Sequence, residues 1–216
     1  MEKSQRDILI LRPTPAFLSF LSEQLPDAEL PELRWLQADP TAYTLSRQPS
    51  EEATLDELER HYQTIFRHEI TRCVGETLSA EVDGGFLDFL CCFKFEFHSH
   101  MVLMESSLSE GQQLLCIKPR SVLLKWMRSS IEDAEVLTSV LLRINISALV
   151  ENATVVVKNF KELSEVNPFV RQYFRPLFKA EMSRMCDKAD QWPAVESFQT
   201  FCRYFSVEMH TQLIHI

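Results

Sequence analysis

Glycine is scarce in this chain. Only four occur in 216 residues, Gly75, Gly84, Gly85 and Gly111, so none lies in the last 105. That absence removes any glycine-dependent phosphate loop from the second half. Gly-x-Gly-x-x-Gly, the P-loop, the Gly-x-Ser-x-Gly elbow and His-Glu-x-x-His are missing throughout. No apolar run approaches the ~18–20 residues a membrane span requires. The charged start Met1-Glu2-Lys3-Ser4-Gln5-Arg6-Asp7 precedes only a short apolar run before Arg12, which does not read as a secretory signal. The six cysteines (Cys73, Cys91, Cys92, Cys116, Cys186 and Cys202) show no Cys-x-x-Cys spacing and sit in apolar periodic segments. Reduced thiols used as small core hydrophobes, in a cytosolic protein, are the expectation. No internal repeat, low-complexity tract or flexible linker is evident.

What is present suits an ordinary globular chain: 45% hydrophobic residues, 25% charged, and a net charge of −9. Residues 1–119 hold 10 Lys+Arg against 20 Asp+Glu, whereas residues 120–216 hold 12 against 11. The acidity is thus confined to the first part, which opposes nucleic acid and anionic membranes and favours a basic protein partner.

Periodicity predicts an α+β fold. Asp7 to Leu11 reads as a strand, and Thr14-Pro15 opens a helix to Leu25. Short edge strands are predicted over Leu33 to Gln37 and Ala42 to Arg47. Ser50 caps a helix to about Val74, with Glu51 and Glu52 in its first turn. Leu78 to Val82, Asp83-Gly84-Gly85 and Phe86 to Phe97 read as a β-hairpin, because Leu87, Phe89, Cys91, Phe93, Phe95 and Phe97 alternate with more polar residues. Met101 to Glu105 and Gln112 to Ile117 extend it into an antiparallel meander around 78–118. After Pro119 the period becomes helical. Arg120 to Arg128, a segment from Ser129 through Ala148 with a Ser129/Glu132 capping box, Asn167-Pro168 onward and Trp192-Pro193 onward read as helices; Thr154 to Val157 reads as helix or strand. The predicted organisation is an acidic α+β part, 1–119, packed on a helical part of four to five helices, 120–216, either as two domains or as one integrated domain.

Two constellations could carry chemistry. In a strand, Glu96, His98 and His100 project to one face, a plausible ligand set for a first-row metal, and Glu105 lies beyond them. The His-x-His-(x)4-Glu spacing resembles part of the first metal motif of the cupin family, which would imply His98, His100 and Glu105 as ligands. The surroundings depart from that motif: Cys92 stands where cupins place a glycine, Gly111 falls one position short, and the glycine-dependent second motif has no place here. The segment is therefore read first as the solvent-facing end of a strand or the bend between two strands. The second constellation is Arg171, Arg175 and Lys179 at four-residue spacing, interleaved with Phe169, Tyr173, Phe174 and Phe178. This stripe could grip phosphates or an acidic partner, but in an acidic chain it is read first as a solvated helix face.

No catalytic residue and no cofactor is singled out. By elimination, the reading is a non-enzymatic cytosolic protein-binding protein: an adaptor, chaperone-like or inhibitory subunit of a complex. It would use an apolar groove between sheet and helices, with acidic residues steering a basic partner. Membrane insertion is not expected. A metal-dependent enzyme and a nucleic-acid binder are the alternatives.

Overall fold

The computed structural model describes residues 6–105, 108, 109, 111–129, 146–186 and 188–216. In chain order the elements are β1 (Arg6–Pro13), α1 (Pro15–Gln24), α2 (Leu33–Ala38), β2 (Ala42–Ser46), α3 (Glu51–Ser79), α4 (Phe86–Cys92), β3 (Phe93–His98), β4 (Met101–Leu103), β5 (Gln113–Pro119), α5 (Ser121–Ser129), α6 (Ile146–Val150), β6 (Val155–Lys158), α7 (Val166–Met185), α8 (Phe198–Tyr204), β7 (Phe205–His210) and β8 (Leu213–His215). The fold is α+β. Two four-stranded sheets have the orders β3-β1-β2-β8 and β4-β6-β5-β7.

Contacts divide the chain into two compact units, 1–97 with 210–216, and 98–209. The chain therefore leaves the first unit after Phe97 and returns to it at His210. In the first unit β1 and β2 are antiparallel, with Leu9 opposite Tyr43, and β8 lies parallel to β2, with Ala42 opposite Leu213. In the second, β5 and β6 are antiparallel, with Leu115 opposite Val156, and β4 lies parallel to β6, with Met101 opposite Val155.

The two units repeat one plan: strand, helix, strand, long helix, short helix running directly into a strand, then a strand delivered to the other unit's sheet. The backbone bonds repeat with it. Thr14 N donates to Cys92 O at 2.9 Å, and Arg120 N to Tyr204 O at 2.8 Å; Leu11 N donates to Thr41 O at 3.1 Å, and Ile117 N to Thr154 O at 2.9 Å. Sequence follows suit once the register is known. Phe86-x-x-Phe89-x-x-x-Phe93-x-Phe95-Glu96-Phe97-His98 stands beside Phe198-x-x-Phe201-x-x-x-Phe205-x-Val207-Glu208-Met209-His210, and Glu69-Ile70-Thr71-Arg72 beside Glu181-Met182-Ser183-Arg184. The expectation of no internal repeat is thereby corrected. Few identities survive, because the repeat preserves apolar size and hydrogen-bonding role more than residue type.

Each unit has its own core. Leu9, Leu11, Phe17, Phe66, Phe89 and Phe93 are buried together in the first, and Leu115, Ile117, Leu123, Phe178, Phe201 and Phe205 in the second. Ring centroids of Phe17 and Phe93 lie 4.8 Å apart, and those of Phe201 and Phe205 5.4 Å.

The predicted strands at the N-terminus, the helix after Thr14 and the helix after Ser50 are present. Ser50 Oγ accepts from Ala53 N at 3.2 Å. Within α3, Gly75 has φ 81° and ψ 167°, a conformation open to glycine and costly for other residues, and it breaks the helix close to its expected end.

Several element assignments need correction. Leu33–Ala38 is helix, not strand. The predicted hairpin over 78–97 is absent: α3 runs on to Ser79, and the phenylalanine ladder is helical up to Cys92 before it becomes strand. The same residues satisfy a helical spacing, Phe86, Phe89, Leu90 and Phe93, and the Asp88 carboxylate accepts from Gly85 N at 2.8 Å at the helix start. Gly84 serves packing rather than a turn. A Cβ there would lie 2.7 Å from the Phe66 ring and 2.8 Å from the Phe20 ring. The meander is absent too, since β6 lies between β4 and β5. The region after Pro119, expected to be helical, also supplies strands β6, β7 and β8; the helix expected from Trp192-Pro193 onward starts only at Phe198 and gives way to strand at Phe205. Residue 110 of the expected meander turn and the helix positions Glu132, Leu137, Val140, Leu141 and Ile144 lie outside the described residues.

Candidate binding groove

The residues singled out for metal chemistry are each engaged within their own unit. Glu96 accepts from Arg12 Nε at 3.0 Å. His98 is fully buried, and its Nδ1 donates to Ala153 O at 2.9 Å. His100 Nδ1 lies 3.2 Å from Thr154 Oγ1, and Glu105 lies 3.8 Å from Lys158 Nζ. A histidine with Nδ1–H on a backbone carbonyl is one that metal sites use. The second copy of the plan supplies the comparison. His210 is equally buried, its Nδ1 donates to Pro40 O at 2.8 Å, and Gln212 stands where the first copy has His100. Lys118 pairs with Glu208 at 2.7 Å as Arg12 does with Glu96. Ser99 N and Oγ donate to Asn152 Oδ1 at 2.5 and 2.8 Å, while Thr211 donates by both groups to the Asp39 carboxylate. A bond set that recurs without the His-x-His spacing belongs to the fold: it anchors the turn between each unit's third strand and the strand that crosses over.

A buried acid recurs in the same way. Glu69 and Glu181 have side-chain exposures of 0% and pair with Arg72 at 3.0 Å and Arg184 at 2.6 Å. Thr154 N donates to Glu181 at 2.7 Å. The first unit adds Tyr43, whose hydroxyl donates to Glu69 Oε1 at 2.6 Å and lies 2.8 Å from His68 Nδ1, which must then be the donor of that pair. Burial, and then the Glu69 charge, push the Tyr43 hydroxyl up. Burial alone would raise Glu69, but the His68 hydrogen bond, the Arg72 charge and the Tyr43 hydroxyl outweigh it and hold the carboxyl low. Both shifts move away from neutrality, so neither Tyr43 nor Glu69 is set to exchange a proton there. The thiols are no better placed: burial first, then Asp88, pushes Cys92 up to about 12, and burial pushes Cys73 up to about 11.

The basic stripe lies on α7 in the second unit. Arg171, Arg175 and Lys179 are exposed at consecutive turns, while Phe169, Phe174 and Phe178 face the core. The Arg171 guanidinium sits 5.2 Å from the centre of the Phe198 ring, and Arg175 donates to Glu196 O at 3.1 Å. Helix α7 continues through Pro176, which occupies an exposed position instead of splitting it.

An apolar concavity of about 460 Å³ lies in the first unit between α3, α4 and the end of β3. Phe93, Phe95 and Phe97 share one face of β3 by its period of two. Phe93 is covered by the core, whereas Phe95 and Phe97 are only partly buried, and with Leu58 and Leu90 they line the groove. Leu55 stands at its edge, 47% exposed; Glu51 lines its acidic side, and Asp7 there is paired with Arg47 at 2.8 Å. A second concavity, about 530 Å³, is more polar and lies beside Gln63, Thr64, Arg67 and Asp83.

Sequence reasoning named Phe95 and Phe97 as ladder residues but could not assign them to a groove. The decisive signal, the helical spacing Phe86, Phe89, Leu90 and Phe93 within an alternating ladder, was available and ambiguous. Among the described residues, no helix is long and apolar enough to cross a membrane. Compared with known proteins, the chain matches no protein family, no curated protein and no solved structure.

Proposed function

We propose that this chain is a non-enzymatic, cytosolic protein-binding protein, an adaptor, chaperone-like or inhibitory subunit of a complex. The observation that carries the reading is the apolar groove of the first unit, where Leu55, Phe95 and Phe97 remain accessible beside carboxylates while comparable phenylalanines close the core. Apolar surface of this kind, edged by charge, suits a protein partner. Of the polar groups that could suggest catalysis, the Glu69–Arg72 pair and His98 have fold-holding counterparts in Glu181–Arg184 and His210. Affinity capture from the native cell tests the proposal. A partner should co-purify in stoichiometric amount with the wild type and with Leu163→Ser, which changes an exposed leucine of the second unit, and should be lost with Leu55→Asp. A chain that captures nothing in either form, or a turnover activity that survives Leu55→Asp, would defeat it.

One observation favours a second reading. The exposed Arg171, Arg175 and Lys179 could bind single-stranded nucleic acid, with affinity that falls steeply as salt rises. The net charge of −9 opposes this. Lack of RNA or DNA binding at low salt ends it.

A further inference from the structure

Duplication allows the first unit to be compared, position by position, with a unit built on the same plan. Counting back from the paired acids Glu69 and Glu181, the exposed face of α3 carries Glu51, Glu52, Asp56 and Glu59 around Leu55, while the second unit has Leu163, Ser164, Pro168 and Arg171 around Asn167. Asp7 on β1 is not part of this contrast, because it pairs with Arg47 at 2.8 Å where its counterpart Gln113 accepts from Phe160 N at 2.7 Å. The shared scaffold does not need the four acids on α3. None of the four on α3 makes an ion pair with a described residue, and no fold-holding bond accounts for them. They extend over nine residues, a rise of roughly 12 Å along the helix. That is longer than a small cationic ligand needs and matches a run of side chains from a polymer.

We infer that the groove of the first unit receives one basic, amphipathic segment of another protein, with apolar side chains on Leu55, Leu58, Phe95 and Phe97 and lysines or arginines facing Glu51 and Asp56. Among the described residues, the long helix of the second unit carries no acidic counterpart to Glu51, Glu52, Asp56 and Glu59, so one segment per chain is expected. This rests on the protein-binding reading and specifies the chemistry of its partner.

Calorimetry and sedimentation on the full chain test it with three synthetic probes: an amphipathic leucine–lysine peptide, its leucine–glutamate counterpart, and a lysine peptide without leucine. The leucine–lysine peptide should bind one per chain, at an affinity that falls with salt. Leu55→Asp, or Glu51→Lys with Asp56→Lys, should weaken it by about tenfold or more, equivalent to roughly 1.4 kcal/mol. Asn167→Asp in the second unit should leave it unchanged. All altered positions are exposed, and an unchanged melting temperature verifies folding. Equal binding of the glutamate peptide or of the leucine-free peptide overturns the inference, as do two peptides per chain or indifference to Leu55→Asp. Self-association abolished by Leu55→Asp also overturns it, because the occupant would then be a second copy. A photo-crosslinker distinguishes failure here from failure of the broader reading. A native partner that crosslinks from position 163 and not from position 55 refutes the groove but leaves a protein-binding protein; no crosslink from either removes both.

Discussion

The first and second units share what holds a fold together and differ in what they show to solvent. Both bury a glutamate against an arginine one turn later, both fasten a histidine ring to a backbone carbonyl, and both run a short phenylalanine-rich helix straight into a strand. The faces of their long helices are opposite in charge: Glu59 in α3 corresponds to Arg171 in α7. Only the first unit adds Tyr43 and His68 to its buried acid, where the second has Val156 and Ala180. Repetition within one chain thus works as an internal control. A polar residue with a counterpart in the same role is part of the scaffold, and a surface residue without one is a candidate for function.

The largest expected effect tests the shared part. Glu69→Gln and Glu181→Gln should each cost about 3–5 kcal/mol in denaturant unfolding, since either change strands a partly buried arginine. A large loss for one and a negligible loss for the other would break the equivalence of the two acids. Next, His98→Ala and His210→Ala should each cost about 1–3 kcal/mol by leaving the carbonyl of Ala153 or Pro40 without its donor. Metal analysis sharpens that pair. Stoichiometric Zn, Fe or Mn in the wild type, lost with His98→Ala and His100→Ala but retained with His210→Ala, would assign chemistry to the first histidine pair alone.

A smaller effect separates the units by pH. Tyr43 is raised above its unfolded value of about 10, so its contribution is fully present below that pH and is lost as pH climbs beyond it. Glu69 is lowered, so its contribution holds above an unfolded value of about 4.3 and is lost as pH falls through the lower folded value. Tyr43→Phe should cost about 1 kcal/mol at neutral pH and flatten the alkaline limb of a melting-temperature profile. An unchanged alkaline limb would show that the hydroxyl is not held as described. Smallest of all, Leu163→Ser should shift stability by less than about 0.5 kcal/mol, because the side chain is 66% exposed.

Legibility varied with how local the signal was. The helix start at Thr14-Pro15, the cap at Ser50, the strands expected over Asp7–Leu11 and Ala42–Arg47 and the helix carrying Arg171 could be read because each depends on neighbours a few residues away, although the Thr14 hydroxyl donates to Cys92 O instead of capping the helix. The ladder from Phe86 to Phe97 could not, since its residues satisfy periods of two and 3.6 at once and only packing against Phe17 and Phe66 selects helix before strand. The repeat escaped notice for a similar reason. Its anchors, Glu69 with Arg72 and His98 with Ala153, have counterparts that are recognisable by role only when the partners are seen. The metal-like spacing at His98 and His100 illustrates the converse: sequence showed the residues, and the structure showed a carbonyl and a threonine against them.

Sequence alone determined the α+β class, the acidity of the first part and the positions of the strongest helix starts. These follow from composition and from short-range sterics and capping. Tertiary structure decided that β4 and β8 cross into the other unit's sheet, that the central phenylalanines split between helix and strand, and that Phe95 and Phe97 line an open groove. Such choices depend on which distant surfaces exclude water together, and no local pattern records them.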